Sequence, residues 1–475
     1  MREPPPSGHP TFEAGQTEAD VDFASINPAS GECLAHHAPT TAAQLEASLA
    51  LAAAAQADWE GRGLEERLAV AGRATDLLRA RAPALAGLMA DEMGKPVAQG
   101  RAEAEKCAWV CADLVERAPL VLADQPVATE ARRSLVCFRP VGLVLAIMPW
   151  NFPLWQVVRA ALPALAAGNG VLLKHAPSTQ GCAAALLDLL TEAGLPAGLM
   201  PSLRLHPPAI AALIGDRRVA AITLTGSTAA GRAVAEAAGR HLKKCVLELG
   251  GSDPAVVLDD ADLELAARVM VAGRMINNGQ SCIAAKRFIV IERHRQAFEQ
   301  RVVALMAEHV GEDPRRESCR LGPLARADLR RVLHGQVERS VAAGARLLLG
   351  GRLPDGPGFW YPATVLSEVR PGMPAFDEEL FGPVAALCWA KDEEEALALA
   401  NQSEFGLGAS VFTADRVRGE RIARERLPAG GAFVNALVKS DPRLPFGGIR
   451  DSGYGRELAD FGLREFVNIK SLWID

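Results

Sequence analysis

The nine cysteines of this 475-residue chain include no C-x-x-C pair and no zinc spacing, which excludes a disulfide framework and a zinc module. Cys107 and Cys111 share one helical face, but nothing near them completes a metal site. Buried free thiols are the expectation for them, and an odd count of reduced cysteines suits the cytoplasm. No apolar run approaches the ~20 residues of a membrane span. The longest clean one, Val141 to Met148, has the length of a buried strand. The amino terminus carries Pro4-Pro5-Pro6 and the acids Glu3, Glu13 and Glu18 rather than a basic stretch followed by an apolar one, so no signal peptide is expected. A net charge of -6 without a basic cluster argues against nucleic acid. Internal repeats and a G-x-G-x-x-G fingerprint are also absent.

What is present is an alternation of strand and helix patterns. Residues 1–22, rich in proline, glycine and acids, read as a disordered tail. Thr41 to about Arg117 is helical in period, with a stop at Gly94-Lys95-Pro96, and these helices are expected on one face of a sheet. Alternation from Ser134 to Arg139 suggests strands. Strands then read at Val141–Met148, Val171–Lys174, Val219–Leu224 and Cys245–Leu249, with helices between them. Such alternation implies a parallel sheet covered on both faces, with ligands at the carboxyl ends of its strands. A second α/β unit follows from Phe288 to about Glu395. The fold class is α/β.

One stretch stands out from this frame. Asn277-Asn278-Gly279-Gln280-Ser281-Cys282 sets a cysteine after a polar run, where an apolar core position is not expected. Gly279 there lets the backbone approach a ligand closely. A thiol is a nucleophile only as thiolate, so it needs a lowered pKa or a nearby base. Glu248, after the apolar Val246-Leu247 and before Gly250-Gly251, is a carboxylate in an apolar place, where burial raises its pKa toward that of a base at neutral pH. Gly226-Ser227-Thr228-Ala229-Ala230-Gly231 follows a strand and opens a helix, where amides can face a pyrophosphate. Taken singly, Cys282 reads equally as a core thiol, Asn151 as a turn residue, Glu248 as a salt-bridged acid, and the glycines as a plain corner.

The motifs Met148-Pro149-Trp150-Asn151-Phe152-Pro153, Leu173-Lys174-His175-Ala176, Leu224-Thr225-Gly226-Ser227, Leu247-Glu248-Leu249-Gly250-Gly251, Gly279-Gln280-Ser281-Cys282 and Glu378-Glu379-Leu380-Phe381-Gly382-Pro383 follow one another along the chain. In that order they resemble the aldehyde dehydrogenases, over nearly the whole length. The runs Lys439 to Gly448 and Gly453-Tyr454-Gly455-Arg456-Glu457-Leu458 are most similar to succinate-semialdehyde dehydrogenases.

The resemblance implies a Rossmann-like NAD(P)-binding domain (23–123 and 142–247), an α/β catalytic domain (248–432), a β oligomerisation extension (124–141 and 452–475) and a return loop near the active site (433–451). It implies oxidation of succinate semialdehyde to succinate through a thiohemiacetal and a thioester on Cys282. Asn151 and the Cys282 amide would hold the oxyanion, and Glu248 would be general base for hydrolysis. Trp150, Lys174, Pro177, Ser178, Gly226, Ser227, Leu249, Glu379 and Phe381 would contact the cofactor. Pro177 stands where NAD-specific relatives often place a Glu, so nothing repels a 2′-phosphate and NADP is expected ahead of NAD, with use of both. Arg159 and Ser440 would bind the substrate carboxylate. Ile276 replaces a second arginine of some relatives, and Ala284 a second cysteine. No metal is expected. A homodimer or homotetramer in the cytoplasm, without nucleic-acid or membrane partners, completes the expectation. Rival readings are a dehydrogenase for glutarate semialdehyde or aliphatic aldehydes, a non-catalytic protein on the same fold, and a cysteine hydrolase, for which no histidine partner is evident.

Overall fold

The computed structural model describes residues 23–475, and the expected disordered tail lies outside the described residues. Its first sheet has the order Gly453–Tyr454, Lys244–Glu248, Val219–Thr225, Leu143–Met148, Gly170–His175. All pairs are parallel except the first, in which Gly453 lies opposite Glu248. Along Leu143–Met148, Leu143 and Leu145 face one core while Val144, Ala146 and Met148 face the other. A strand covered on both faces needs apolar residues at every position, which explains the unbroken run in the sequence.

The long helices Leu64–Met93 and Val97–Val121 cover one face. Gly94, at φ 74, ends the first of them, as its place before Lys95-Pro96 predicts. The first helix, Ala42–Gly61, departs from the single-face expectation. Its Leu49 and Ala52 join the opposite core, while Trp59 joins the first. It wraps the edge strand Gly170–His175, because an edge strand must be covered by something.

A second sheet has the order Arg346–Leu349, Thr364–Ser367, Val384–Ala390, Ala285–Ile291, Asp253–Val257, Gly408–Phe412, Gly431–Val434, parallel but for its first pair. It too has a core on each face: Val256 belongs to one, Ala255 and Val257 to the other. The chain passes from the first sheet to the second through Leu249–Ser252, so the Glu248-Leu249-Gly250-Gly251 run is the joint between them. A third sheet, antiparallel, joins Gln125–Pro126, Arg133–Pro140 and Val467–Ile474. Its last strand leaves Ile469, Trp473 and Ile474 exposed. The segment 452–475 therefore serves two sheets: Gly453–Tyr454 borders Glu248, and Val467–Ile474 builds the extension. Among the described residues, no helix is long and apolar enough to cross a membrane.

Candidate active site

The loop before Cys282 is held by its own polar side chains. Helix Leu263–Met275 ends, and Asn277 and Asn278 follow at φ 56 and 57, a region asparagine tolerates better than most residues. Asn277 Nδ2 donates to the Asn151 carbonyl at 2.7 Å, and Asn278 Nδ2 to the Gly94 carbonyl at 2.8 Å. Asn278 Oδ1 accepts from the Gly322 amide at 2.8 Å, and Gln280 Oε1 from the Ala325 amide at 2.9 Å. The close approach at Gly279 is not to a ligand space, as its place in the motif suggested. A Cβ there would fall 2.3 Å from Gly382, so this glycine seats the cysteine loop on the Glu-Leu-Phe-Gly-Pro turn.

Cys282 sits where two cavities meet. One, of about 350 Å³, is lined by Trp150, Asn151, Gly226, Ser227, Leu249, Glu379 and Phe381 together with Cys282. The other, of about 290 Å³, is lined by Lys106, Phe152, Trp155, Arg159, Ile276, Ser440 and Phe446, again with Cys282. Gln156 lines both. Burial pushes the Cys282 thiol up to about 12, against the pull of the Lys286 and Arg159 charges. Lys286 Nζ donates to the carbonyls of Ser281 at 2.9 Å and Cys282 at 2.6 Å, fixing the backbone beneath the sulfur. Asn151 Nδ2 donates to the Gln280 carbonyl at 3.1 Å. A primary amide has two N–H groups, which leaves one for a ligand in the first cavity.

Glu248 lines neither cavity. It is 2% exposed, and neither carboxylate oxygen has a hydrogen-bond partner. Burial, and then the charge of Glu457, push its pKa well above the usual carboxylate range, with Arg159 and Arg456 opposing. Its room depends on Gly447, where a Cβ would fall 2.7 Å from Glu248 Oε1. A buried carboxylate of raised pKa is a stronger proton acceptor than an exposed one.

The first cavity ends at the carboxyl edges of the parallel strands. Ser227 caps helix Thr228–Arg240, accepting from the Ala230 amide at 3.3 Å. Glu379 Oε1 accepts from the Gly251 amide at 3.0 Å and lies 3.3 Å from Lys286 Nζ. The Trp150 and Phe381 rings meet edge to face at 5.7 Å. Lys174, Pro177 and Ser178 lie outside this cavity, on the neighbouring strand Gly170–His175 and the turn after it. Burial lowers Lys174 to about 8, and the Ser178 hydroxyl is buried without a partner. Such an orphaned donor fits a phosphate or ribose.

A model described as the aldehyde dehydrogenase family matches residues 15–472. The chain belongs to the aldehyde dehydrogenase family. It is 50% identical over 454 residues to the succinate semialdehyde dehydrogenase [NAD(P)+] of Escherichia coli, covering 95% of this chain and 97% of that one. It is 45% identical over 453 residues to a probable succinate-semialdehyde dehydrogenase [NADP(+)] of Synechocystis, covering 95% and 99%. Among solved structures, the succinic semialdehyde dehydrogenase of Streptococcus pyogenes in complex with NADP+ superposes with a TM-score of 0.92 at 33% identity, covering 95% and 99%.

Within this aldehyde dehydrogenase the expected residues do not all stand alike. Ser440 and Arg159 both line the second cavity, but the Arg159 guanidinium is 2% exposed and ion-paired with Glu457. Its charge is thus already matched, which the sequence reading did not anticipate. Sequence reasoning also missed Lys106, Lys286 and Glu457. Lys286 is four residues after Cys282, on strand Ala285–Ile291, and Glu457 lies inside the quoted Gly453-Tyr454-Gly455-Arg456-Glu457 run, so both are close to a motif in sequence. Lys106 is close to none.

Proposed function

We propose that this aldehyde dehydrogenase oxidises succinate semialdehyde to succinate, with NADP favoured over NAD, and that Cys282 and Glu248 carry the chemistry. The observation behind this reading is the position of Cys282, whose thiol is the shared wall of an aromatic-lined cavity at the strand ends and a cavity with cations. When bound, the nicotinamide supplies the hydride acceptor.

Cys282 is the nucleophile toward the carbonyl carbon. With its thiol raised to about 12, the sulfur gives its proton to solvent water as the C–S bond forms, which leaves Glu248 free to act in the later step. The free N–H of Asn151 and the Cys282 amide, which donates to no other described residue, hold the carbonyl oxygen as it becomes an oxyanion. Such donors are each worth ~10²–10³ in rate. Glu248 then takes a proton from the water that cleaves the thioester. Neither of its oxygens is tied by a hydrogen bond, so its side chain can turn from Gly447 toward the sulfur. Lys174 and Ser178 suit a 2′-phosphate, with uncharged Pro177 beside them. The exposed strand Val467–Ile474 supports assembly of identical subunits, and the unpaired state of all nine cysteines suits the cytoplasm.

Initial rates with succinate semialdehyde, glutarate semialdehyde and butanal, each with NAD and NADP, test the reading. The expected result is highest kcat/KM for succinate semialdehyde with NADP, and succinate as product. Equal efficiency on butanal would overturn it.

A further inference from the structure

Lys106 is the unexplained cation of the second cavity. It stands on helix Val97–Val121, far in sequence from every motif of the site. Its Nζ donates to Ser440 Oγ at 2.6 Å and lies 4.3 Å from the centre of the Trp155 ring. The two carboxylates that act on its charge are engaged elsewhere. Glu103 Oε1 accepts from the Leu154 and Trp155 amides at 2.9 and 3.0 Å, and its other oxygen pairs with Lys95. Asp441 is paired with Arg443 at 2.9 Å. Lys106 itself makes no ion pair with a described residue. Burial first, and Arg159 second, lower it to about 8, so the cavity holds a cation that an anion would stabilise. Around it, Phe152, Ile276, Ile283 and Phe446 give the apolar wall that a short methylene chain needs.

We infer that Lys106, with Ser440, binds the distal carboxylate of the semialdehyde and sets the preference for a carboxylated substrate. Three donors radiate from an ammonium group. One is on Ser440, and the others are available to a carboxylate. Ile276 lines the same cavity and carries no charge, so the cation there comes from helix Val97–Val121. Arg159, neutralised by Glu457, serves the acidity of Glu248 more than the substrate. Lys439 is exposed at the rim and lacks the enclosure that makes a carboxylate contact strong.

The inference rests on the proposed function, and one set of assays separates the two. Wild type that fails to prefer succinate semialdehyde over butanal sinks the proposed function. Wild type that shows the preference while Lys106→Met keeps it overturns the role of Lys106 alone. The expected outcome is a fall of about 30- to 100-fold in that preference, carried by KM, with much of it restored in Lys106→Arg. A footprint on wild-type protein needs no variant. Acetylation mapped by mass spectrometry should slow at Lys106 when succinate is present, relative to butyrate. Labelling that succinate leaves untouched refutes the assignment.

Discussion

The two cavities that meet at Cys282 are built in different ways. The first is assembled from turns at the ends of parallel strands, each a short contiguous motif: Pro149-Trp150-Asn151, Gly226-Ser227, Leu249-Gly250 and Glu379-Leu380-Phe381. The second takes Lys106, Trp155 and Arg159 from helix faces and Ser440 from the return loop. A cofactor is met largely by backbone amides and planar side chains, and these need glycines and turns at fixed places. A variable substrate tail is met by a few side chains, which any element reaching the cavity can supply.

Removing the shared wall should abolish the distinction altogether. Cys282→Ala is expected to lower turnover of every aldehyde by about 10⁴-fold or more, and full turnover in this variant would end the account. Glu248→Gln comes next. Steady-state rate should fall about 10²–10⁴-fold, while stopped-flow mixing still shows a first turnover of reduced cofactor. Loss of that burst would place Glu248 before the thioester rather than after it. Glu379→Gln probes the first cavity alone. It should raise the cofactor KM about 10-fold and leave the ratio of succinate semialdehyde to butanal efficiency as in wild type. A changed ratio would mean that the two cavities are not separable.

The smallest expected effect is on pH dependence. The proposed base, Glu248, would act only when ionised, and its pKa is raised, so turnover should climb as pH rises through that value. Glu457→Gln removes a neighbouring negative charge and frees Arg159, and both changes favour the ionised form of Glu248. The acid limb of the kcat profile should move down by roughly one pH unit. A limb that stays in place would assign it to another group.

The same contrast explains what was legible in the sequence. The four parallel strands of the first sheet read within a residue or two, because a strand apolar at every position and a helix closed by glycine leave a local record. Val219–Thr225 and Lys244–Glu248 are examples. The short antiparallel strand Gly453–Tyr454 left none. Cys282, Asn151 and Glu379, which share the first cavity, were singled out in the sequence because they sit inside motifs. The meaning of Gly279 was not, since the backbone it packs on, Gly382, is remote in sequence. Nor was the pairing of Arg159 with Glu457, which brings together a helix and the chain's last segment. Lys106 is one lysine on a long helix, and only the folded chain gives it Ser440 as neighbour.

The antiparallel strand Gly453–Tyr454 ties the periphery to the centre. Gly453 packs so tightly on Leu247 that a Cβ would fall 2.0 Å from its carbonyl oxygen. Downstream of it come Arg456, Glu457 and Glu465, the charges that tune Glu248, and then the outermost strand Val467–Ile474. Trimming the carboxy terminus back past Glu465 would thus change the charge around Glu248, the proposed base, while leaving every quoted motif in place. A tag or fusion at that end belongs among the variables of any kinetic comparison.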